Sequence, residues 1–107
     1  MKISKNIVLA NTLAISYILL PVVAYAQKET YLGGIDVDTY CKDRFGGTAR
    51  AELDPNEKTA WGWRCRIGGD LVTISMDNAC RFQYKNQRAF SRPKDSRNPY
   101  SWECFAN

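Results

Sequence analysis

An apolar residue recurs at every fourth position in one early stretch of the chain, at Val37, Cys41 and Phe45. That spacing places the three side chains on one face of a helix. Asp36 stands directly before the stretch as a candidate N-cap, and two glycines follow it as a stop signal. The pattern therefore predicts a short helix over residues 36–45.

The same four-residue spacing returns in a second stretch, at Met76, Cys80 and Tyr84. Ser75 occupies the N-cap position there, and Asn86 is a candidate C-terminal cap. The sequence therefore predicts a second short helix, which resembles the first in its cap and in the position of its cysteine.

Strict alternation of apolar and polar residues, which is typical of a half-buried strand, marks two further stretches. Their apolar members are Trp61, Trp63, Cys65 and Ile67 in the first and Tyr100, Trp102 and Cys104 in the second. Two glycines at 68–69 fit a hairpin turn, after which residues 70–74 return as a β-branched strand. Residues 49–53 are a candidate short strand. Residues 87–99 show no period and contain two prolines, so we expect a loop there.

The cysteines divide the chain into two similar units. Positions 41 and 65 are 24 residues apart, and so are positions 80 and 104. The second cysteine pair lies 39 positions after the first. The same offset aligns three further identical residues: Ile35 with Ile74, Asp38 with Asp77, and Trp63 with Trp102. We therefore predict an internal duplication with repeat units 35–67 and 74–106.

The first 26 residues have the features of a secretory signal. Basic residues precede an apolar run, residues 7–23, and Ala24-Tyr25-Ala26 supplies small residues at the cleavage site. A retained membrane anchor is the alternative, because the run is close to the length that crosses a bilayer. We expect a cleaved signal over residues 1–26, a flexible lead over 27–34, one domain over 35–107 without a transmembrane segment, and a secreted or periplasmic location.

The predicted elements amount to a small α+β domain with two short helices and an antiparallel sheet of three or four strands. A domain of this length has a limited core, so four cysteines in an exported chain indicate two disulfides, each worth about 2 to 4 kcal/mol. The duplication favours Cys41 with Cys65 and Cys80 with Cys104, since each unit then closes its own loop. The crossed arrangement, Cys41 with Cys104 and Cys65 with Cys80, is also buildable, and spacing does not decide between them.

The composition removes several kinds of catalytic site. The chain has no histidine, which is the usual general base and a common zinc ligand, and disulfides would occupy the thiols. Carboxylates remain for a hydrolase, which needs a suitably spaced pair. Capping, turn formation and solvation account for the available ones: Asp36, Asp38, Glu52, Asp54 and Glu57. We therefore expect a protein that is not an enzyme and that holds no cofactor or metal.

Aromatic residues next to the cysteines are the first candidates for partner binding. Trp63 and Trp102 are expected to pack over the disulfides. Trp61 and Tyr100 stand at the entrance of each strand, where a ring is either packed or exposed. An exposed ring there would present a surface for a sugar, a peptide or a base.

Basic residues crowd the segment before the closing strand. Arg88, Arg92, Lys94 and Arg97 lie close together in the sequence, and they would suit an anionic surface polymer or an extracellular protein. The alternative is a solvated loop that its charges keep soluble. Export argues against routine contact with nucleic acid, and we expect a monomer.

Four blocks of residues carry a resemblance to a known kind of protein. They are Asp38-x-x-Cys41, Trp61-x-Trp63-x-Cys65, Asp77-x-x-Cys80-x-x-Gln83-Tyr84 and Asn98-Pro99-Tyr100-Ser101-Trp102-x-Cys104. Over residues 31–105 the chain resembles small exported bacterial domains of unknown function. The resemblance implies an exported bacterial module, and it brings no activity and no catalytic residue with it.

Three functional hypotheses follow from these residues. The first is a secreted or periplasmic, non-catalytic binding module for a cell-surface polymer or a protein partner. The second is a small secreted enzyme inhibitor or toxin-like effector, in which the loop over residues 87–99 enters a partner's cleft. The third, a hydrolase that uses carboxylates, has the least support in the sequence.

Overall fold

The computed structural model describes residues 28–107. They form two helices and two three-stranded antiparallel sheets. The α+β prediction is confirmed, and the strands divide between two sheets rather than forming one. The predicted signal, residues 1–26, lies outside the described residues. In chain order the elements are β1 (Thr30–Gly33), α1 (Val37–Phe45), β2 (Arg50–Leu53), a first 3-10 turn (Ala60–Gly62), β3 (Trp63–Ile67), β4 (Asp70–Thr73), α2 (Met76–Tyr84), β5 (Ala89–Pro93), a second 3-10 turn (Pro99–Ser101) and β6 (Trp102–Ala106).

Both predicted N-caps are confirmed. The Asp36 carboxylate accepts a hydrogen bond from the Thr39 N–H at 3.0 Å, and the Ser75 hydroxyl accepts one from the Asn78 N–H at 3.1 Å. The prediction of Asn86 as the C-terminal cap of α2 is wrong. Lys85 takes that place because it adopts the left-handed conformation, with a φ of 50°, which ends the helix one residue earlier.

The strand that precedes each helix pairs with the last strand of the other half of the chain, where the first half is residues 30–67 and the second half residues 70–106. β1 lies before α1 but joins β6, in a sheet of order β1-β6-β5. β4 lies before α2 but joins β3, in a sheet of order β2-β3-β4. The halves therefore exchange a strand, and each sheet is completed by the other half.

β1 corrects the prediction of a flexible lead, made for residues 27–34, at Thr30–Gly33. Tyr31 lies opposite Phe105 and Gly33 opposite Cys104, so the register shifts between them as in a β-bulge. Gly33 has a φ of 139°, and a side chain at this position would meet the Tyr84 hydroxyl. Order in this segment comes from pairing with the far end of the chain, which the local sequence does not signal.

β5 replaces part of the loop predicted for residues 87–99, so that prediction is wrong for Ala89–Pro93. The strand runs antiparallel to β6, from Ala89 opposite Ala106 to Pro93 opposite Trp102. A proline is tolerated there because it ends a strand at the edge of the sheet. The 3-10 turns, in contrast, occupy positions predicted as strand, so Trp61 and Tyr100 stand just before β3 and β6 rather than within them.

Each half contains one disulfide: Cys41 bonds to Cys65 and Cys80 to Cys104. The pairing that the duplication favours is thus confirmed, and all four cysteines are fully buried. The first disulfide belongs to a cluster of seven buried residues, listed as Val37, Cys41, Ala49, Ala60, Cys65, Met76 and Trp102. The second disulfide shares a smaller cluster with Ala89. The core is therefore larger around the first disulfide, and it includes side chains from both halves.

Candidate functional site

The two 3-10 turns contact each other, and we call this contact the junction. A side-chain cap begins each turn in the same way. The Thr59 hydroxyl accepts a hydrogen bond from the Trp61 N–H at 3.3 Å, and the Asn98 side-chain oxygen accepts one from the Tyr100 N–H at 2.8 Å. The caps hold both turns in a defined conformation, so each aromatic ring leaves the backbone at a fixed point of the junction.

Two reciprocal hydrogen bonds fasten the junction. The Trp63 indole N–H donates to the Pro99 carbonyl at 2.6 Å, and the Trp102 indole N–H donates to the Ala60 carbonyl at 2.6 Å. Each donor therefore reaches the first residue of the other half's 3-10 turn. Donors and acceptors are both 39 positions apart, from 63 to 102 and from 60 to 99, so the junction has an approximate twofold arrangement.

The aromatic contacts at the junction are also reciprocal. Trp61 packs edge-on against Trp102, with ring centroids 5.9 Å apart, and Tyr100 packs edge-on against Trp63 at 5.6 Å. Trp102 is buried and Trp63 is half-buried in the first core cluster, which contains the Cys41–Cys65 disulfide, and neither belongs to the cluster around Cys80–Cys104. Trp61 is 53% exposed and Tyr100 is 75% exposed. Both candidate binding residues therefore present large rings to solvent on a packed support.

Two shallow grooves flank the junction. The Trp61 groove has a volume of about 430 Å³, and its lining includes Trp61, Ile74, Met76, Asp77 and Trp102. The Tyr100 groove has a volume of about 500 Å³, and its lining includes Tyr100, Ile35, Val37, Asp38 and Trp63. These lining residues correspond one to one through the offset of 39. Each groove combines the start of one half's helix with the exposed ring of the other half.

An aspartate in each groove ties the first turn of a helix to the neighbouring strand. Asp38 accepts hydrogen bonds from the Lys42 ammonium and from the Ala51 N–H, and these two bonds lower the pKa of Asp38. Asp77 accepts hydrogen bonds from the Ser91 N–H and hydroxyl, both at 2.7 Å. The matched aspartates thus stabilise the walls of the two grooves and keep acceptor oxygens at their surface.

Asp36 adds a second carboxylate to the Tyr100 groove, where the other groove has Ser75. Hydrogen bonds from the Thr39 N–H and the Thr39 hydroxyl lower the pKa of Asp36. This carboxylate is therefore ionised at neutral pH. The Tyr100 groove is the more acidic of the two.

The four basic candidates do not form one patch on one element. Arg88 precedes β5, Arg92 lies within β5, and Lys94 and Arg97 lie in the turn after it. Arg92 is engaged by Glu29 through two hydrogen bonds, of 3.1 and 2.8 Å, which lower the pKa of Glu29 and raise that of Arg92. All four side chains are exposed, and among them only Arg92 is part of the lining of the Trp61 groove.

Sequence reasoning missed an aromatic face on the outer side of the β1-β6-β5 sheet. Tyr31 packs edge-on against Phe105 at 5.6 Å, and Phe90 stacks near-parallel to Phe105 at 5.8 Å. The Arg92 guanidinium lies 4.3 Å from the centre of the Phe105 ring. Only the strand register brings these residues together, so no local pattern could have identified the cluster.

Neither a metal centre nor a membrane-spanning helix is found within residues 28–107. The described part of the chain contains no group of three or more Cys, Asp or Glu residues placed to hold a metal ion. No helix in the same range has the length and apolar character needed to cross a membrane.

No protein-family model matches the chain, and neither a curated protein nor a solved structure matches it. The resemblance to small exported bacterial domains therefore stays a prediction from the motifs. The geometry of the junction and its two grooves carries the functional argument.

Proposed function

We propose that this protein is a secreted or periplasmic, non-catalytic binding module that holds a cell-surface polymer or a protein partner at the junction. One observation carries the proposal: the two large aromatic side chains at the junction, Trp61 and Tyr100, are more than half exposed and each borders a groove. Exposed Trp and Tyr rings are common at binding surfaces because they offer large contact areas and a polar atom.

The support beneath the rings strengthens the proposal. A side chain that is already held in place loses little conformational entropy when a partner binds. Trp61 and Tyr100 rest on Trp102 and Trp63, which are themselves fixed by hydrogen bonds to the opposite 3-10 turn. The two rings are thus preorganised for contact.

Three of the five candidate carboxylates suit binding better than hydrolysis. A hydrolase of this type needs one carboxyl group with a raised pKa, so that it can donate a proton near neutral pH. Hydrogen bonds lower the pKa of Asp36, Asp38 and Glu52 instead. These three groups are therefore unsuited to act as the general acid.

A retention experiment tests the proposed function. The oxidised protein without its predicted signal would be immobilised and exposed to envelope and medium fractions of the cells that produce it. We expect Trp61→Ala combined with Tyr100→Ala to abolish retention of a partner while thermal unfolding changes little. Tyr31→Ala is the matched control, because Tyr31 is 59% exposed and lies outside both grooves. Equal loss in the control, or full retention in the double variant, would contradict the proposal.

The export part of the proposal has its own test. Two disulfides with no free cysteine among the described residues support an oxidising compartment. We expect the N-terminus of the protein purified from the cell exterior to be Gln27. A protein that keeps residues 1–26 at its site of action would refute cleavage.

A second candidate function, an inhibitor or effector, rests on the turn over residues 94–98. All five of its residues are exposed, and Ser101 holds the turn by accepting a hydrogen bond from the Asp95 N–H and donating to the Asp95 carbonyl. Such a turn would resist proteases if it acted as an inhibitory loop. Rapid cleavage there by trypsin, at Lys94 or Arg97, would count against this candidate.

A further inference from the structure

We infer that the Trp61 groove and the Tyr100 groove are two separate binding sites for the same class of ligand, a neutral polysaccharide whose pyranose rings carry equatorial hydroxyl groups, and that each groove takes sugar rings of one chain segment. The inference rests on the proposed function and specifies its ligand. It also changes the expected stoichiometry, because one protein molecule would hold two chain segments.

The pairing of the grooves comes from the exchange between the halves. The Trp61 groove joins the Trp61 ring of the first half to Met76 and Asp77 of α2. The Tyr100 groove joins the Tyr100 ring of the second half to α1. Five lining residues of one groove have a counterpart in the other, namely the exposed ring, its supporting Trp, the Asp and two apolar side chains, so a ligand that uses these groups can bind in both.

The surface chemistry of the grooves suits sugar rings. A pyranose with equatorial hydroxyl groups has flat C–H faces, which pack on an aromatic ring, and a rim of hydroxyl groups, which donate to carboxylates. The Trp61 groove offers the indole ring beside the Asp77 carboxylate, and the Tyr100 groove offers the phenol ring beside Asp38. Hydrogen bonds to ionised acceptors are the stronger kind.

A polyanion fits the same grooves poorly. Asp36 and Asp38 line one groove and Asp77 lines the other, so an anionic chain would meet like charge in both. The one basic lining residue, Arg92, is already engaged by Glu29. A polyanion would instead approach the exposed basic residues in the turn after β5.

A cationic peptide is also disfavoured in the Tyr100 groove, because its carboxylates already have donors, and in the Trp61 groove, because Arg92 is part of the lining. Lys42 and the Ala51 N–H occupy Asp38, and both carboxylate oxygens of Asp36 accept from Thr39. The oxygens retain lone pairs that accept a hydroxyl hydrogen. A full positive charge would have to compete with the ammonium group that Asp38 already holds.

Calorimetric titration with short sugars tests the inference directly. The probes are the β-1,4-linked trisaccharides of glucose and of N-acetylglucosamine, each titrated into the oxidised protein without residues 1–26. We expect two sites per molecule for at least one probe. Trp61→Ala and Tyr100→Ala should each remove one site and change the affinity of the other by no more than about twofold, as for independent positions. Tyr31→Ala should keep both sites.

Several results would overturn the inference. They can be distinguished from results that would overturn the proposed function. Absence of binding by both trisaccharides refutes the ligand class, as does groove-dependent binding of a heparin oligosaccharide or a lysine peptide. One site that disappears in either single variant refutes two separate sites. If envelope retention still depends on Trp61 and Tyr100 in those cases, the proposed function stands and only the ligand is wrong. Thermal unfolding of each variant shows that loss of a site is not loss of the fold.

Discussion

The two halves of the molecule match at the junction and differ on the outer faces of their sheets. At the junction, caps, indole hydrogen bonds and aromatic pairs all have a counterpart 39 positions away. On the outer face of the β1-β6-β5 sheet, Phe90 lies opposite Phe105. At the equivalent place in the β2-β3-β4 sheet, Arg50 lies opposite Arg66, and Glu52 binds Arg66 through two hydrogen bonds.

The two outer faces also carry a pair of opposite charges with the signs exchanged between the strands. Arg92 lies opposite Glu103 in one sheet, whereas Glu52 lies opposite Arg64 in the other. Residues in the junction must fit a partner in the other half, so a change in one requires a change in the second. Residues on an outer face have no such partner across the junction. The comparison therefore separates the positions that join the two 3-10 turns from outer-face positions such as Phe90 and Glu52, whose cross-strand partners lie in their own half.

Removing a disulfide should have the largest effect, and the effect should differ between the halves. Loss of either crosslink is expected to lower the free energy of unfolding by about 3 kcal/mol. Cys80→Ala with Cys104→Ala should cost more than Cys41→Ala with Cys65→Ala, because the second cluster has fewer buried residues to hold the helix on its sheet. Urea unfolding of both double variants measures this. Equal midpoints would mean that the smaller cluster is no weaker.

The two indole hydrogen bonds should be unequal despite their equal lengths. Trp102→Phe leaves the Ala60 carbonyl without its donor at a buried site, which should cost about 1 to 3 kcal/mol. Trp63→Phe should cost less, because the Pro99 carbonyl is only partly buried and water can replace the donor. Thermal unfolding of the two variants decides the order, and a larger loss for Trp63→Phe would contradict it.

The last position of each 3-10 turn should also respond differently. Gly62→Ala would place a methyl group against the Glu57 carbonyl oxygen and should cost about 1 to 2 kcal/mol through overpacking. Ser101→Ala alters the equivalent position in the other half. It removes hydrogen bonds to Asp95 and should cost about 1 kcal/mol. Denaturant titration compares the two. If Gly62→Ala is neutral, the turn has room that the structure does not show.

Low pH should destabilise the N-terminus of α1 more than that of α2. This should be the smallest of the four predicted effects. The N-cap of α1 is Asp36, whose pKa is lowered in the fold, whereas the N-cap of α2 is Ser75, which does not titrate. A lowered pKa means that the stabilisation is present above the ordinary aspartate value of 3.8 and is lost as the pH falls below it. Amide exchange at Thr39 should therefore rise in this range relative to Asn78. The difference should vanish in Asp36→Asn.

Local patterns were sufficient for the helices and the disulfides but not for the sheets. Asp36 and Ser75 signal helix starts through their own side chains, and the predicted duplication favoured the observed disulfide pairing, although spacing alone left the crossed one open. β1 and β5 were not predicted because each strand is short and ends in a residue that is uncommon in strands, Gly33 or Pro93. Both strands form by pairing with β6. The sequence left packed and exposed rings equally open for Trp61 and Tyr100, and the structure has both more than half exposed. The grooves beside them depend on how the halves meet.

The pairing of β1 with β6 sets an order of assembly during synthesis. Thr30 lies opposite Ala106, so the β1-β6-β5 sheet cannot close until residue 106 has been synthesised. The β2-β3-β4 sheet needs only residues 50–73 and its strands are neighbours in sequence. Contacts between distant residues form slowly. The β2-β3-β4 sheet should therefore form early, while β1 stays unpaired until β6 is present.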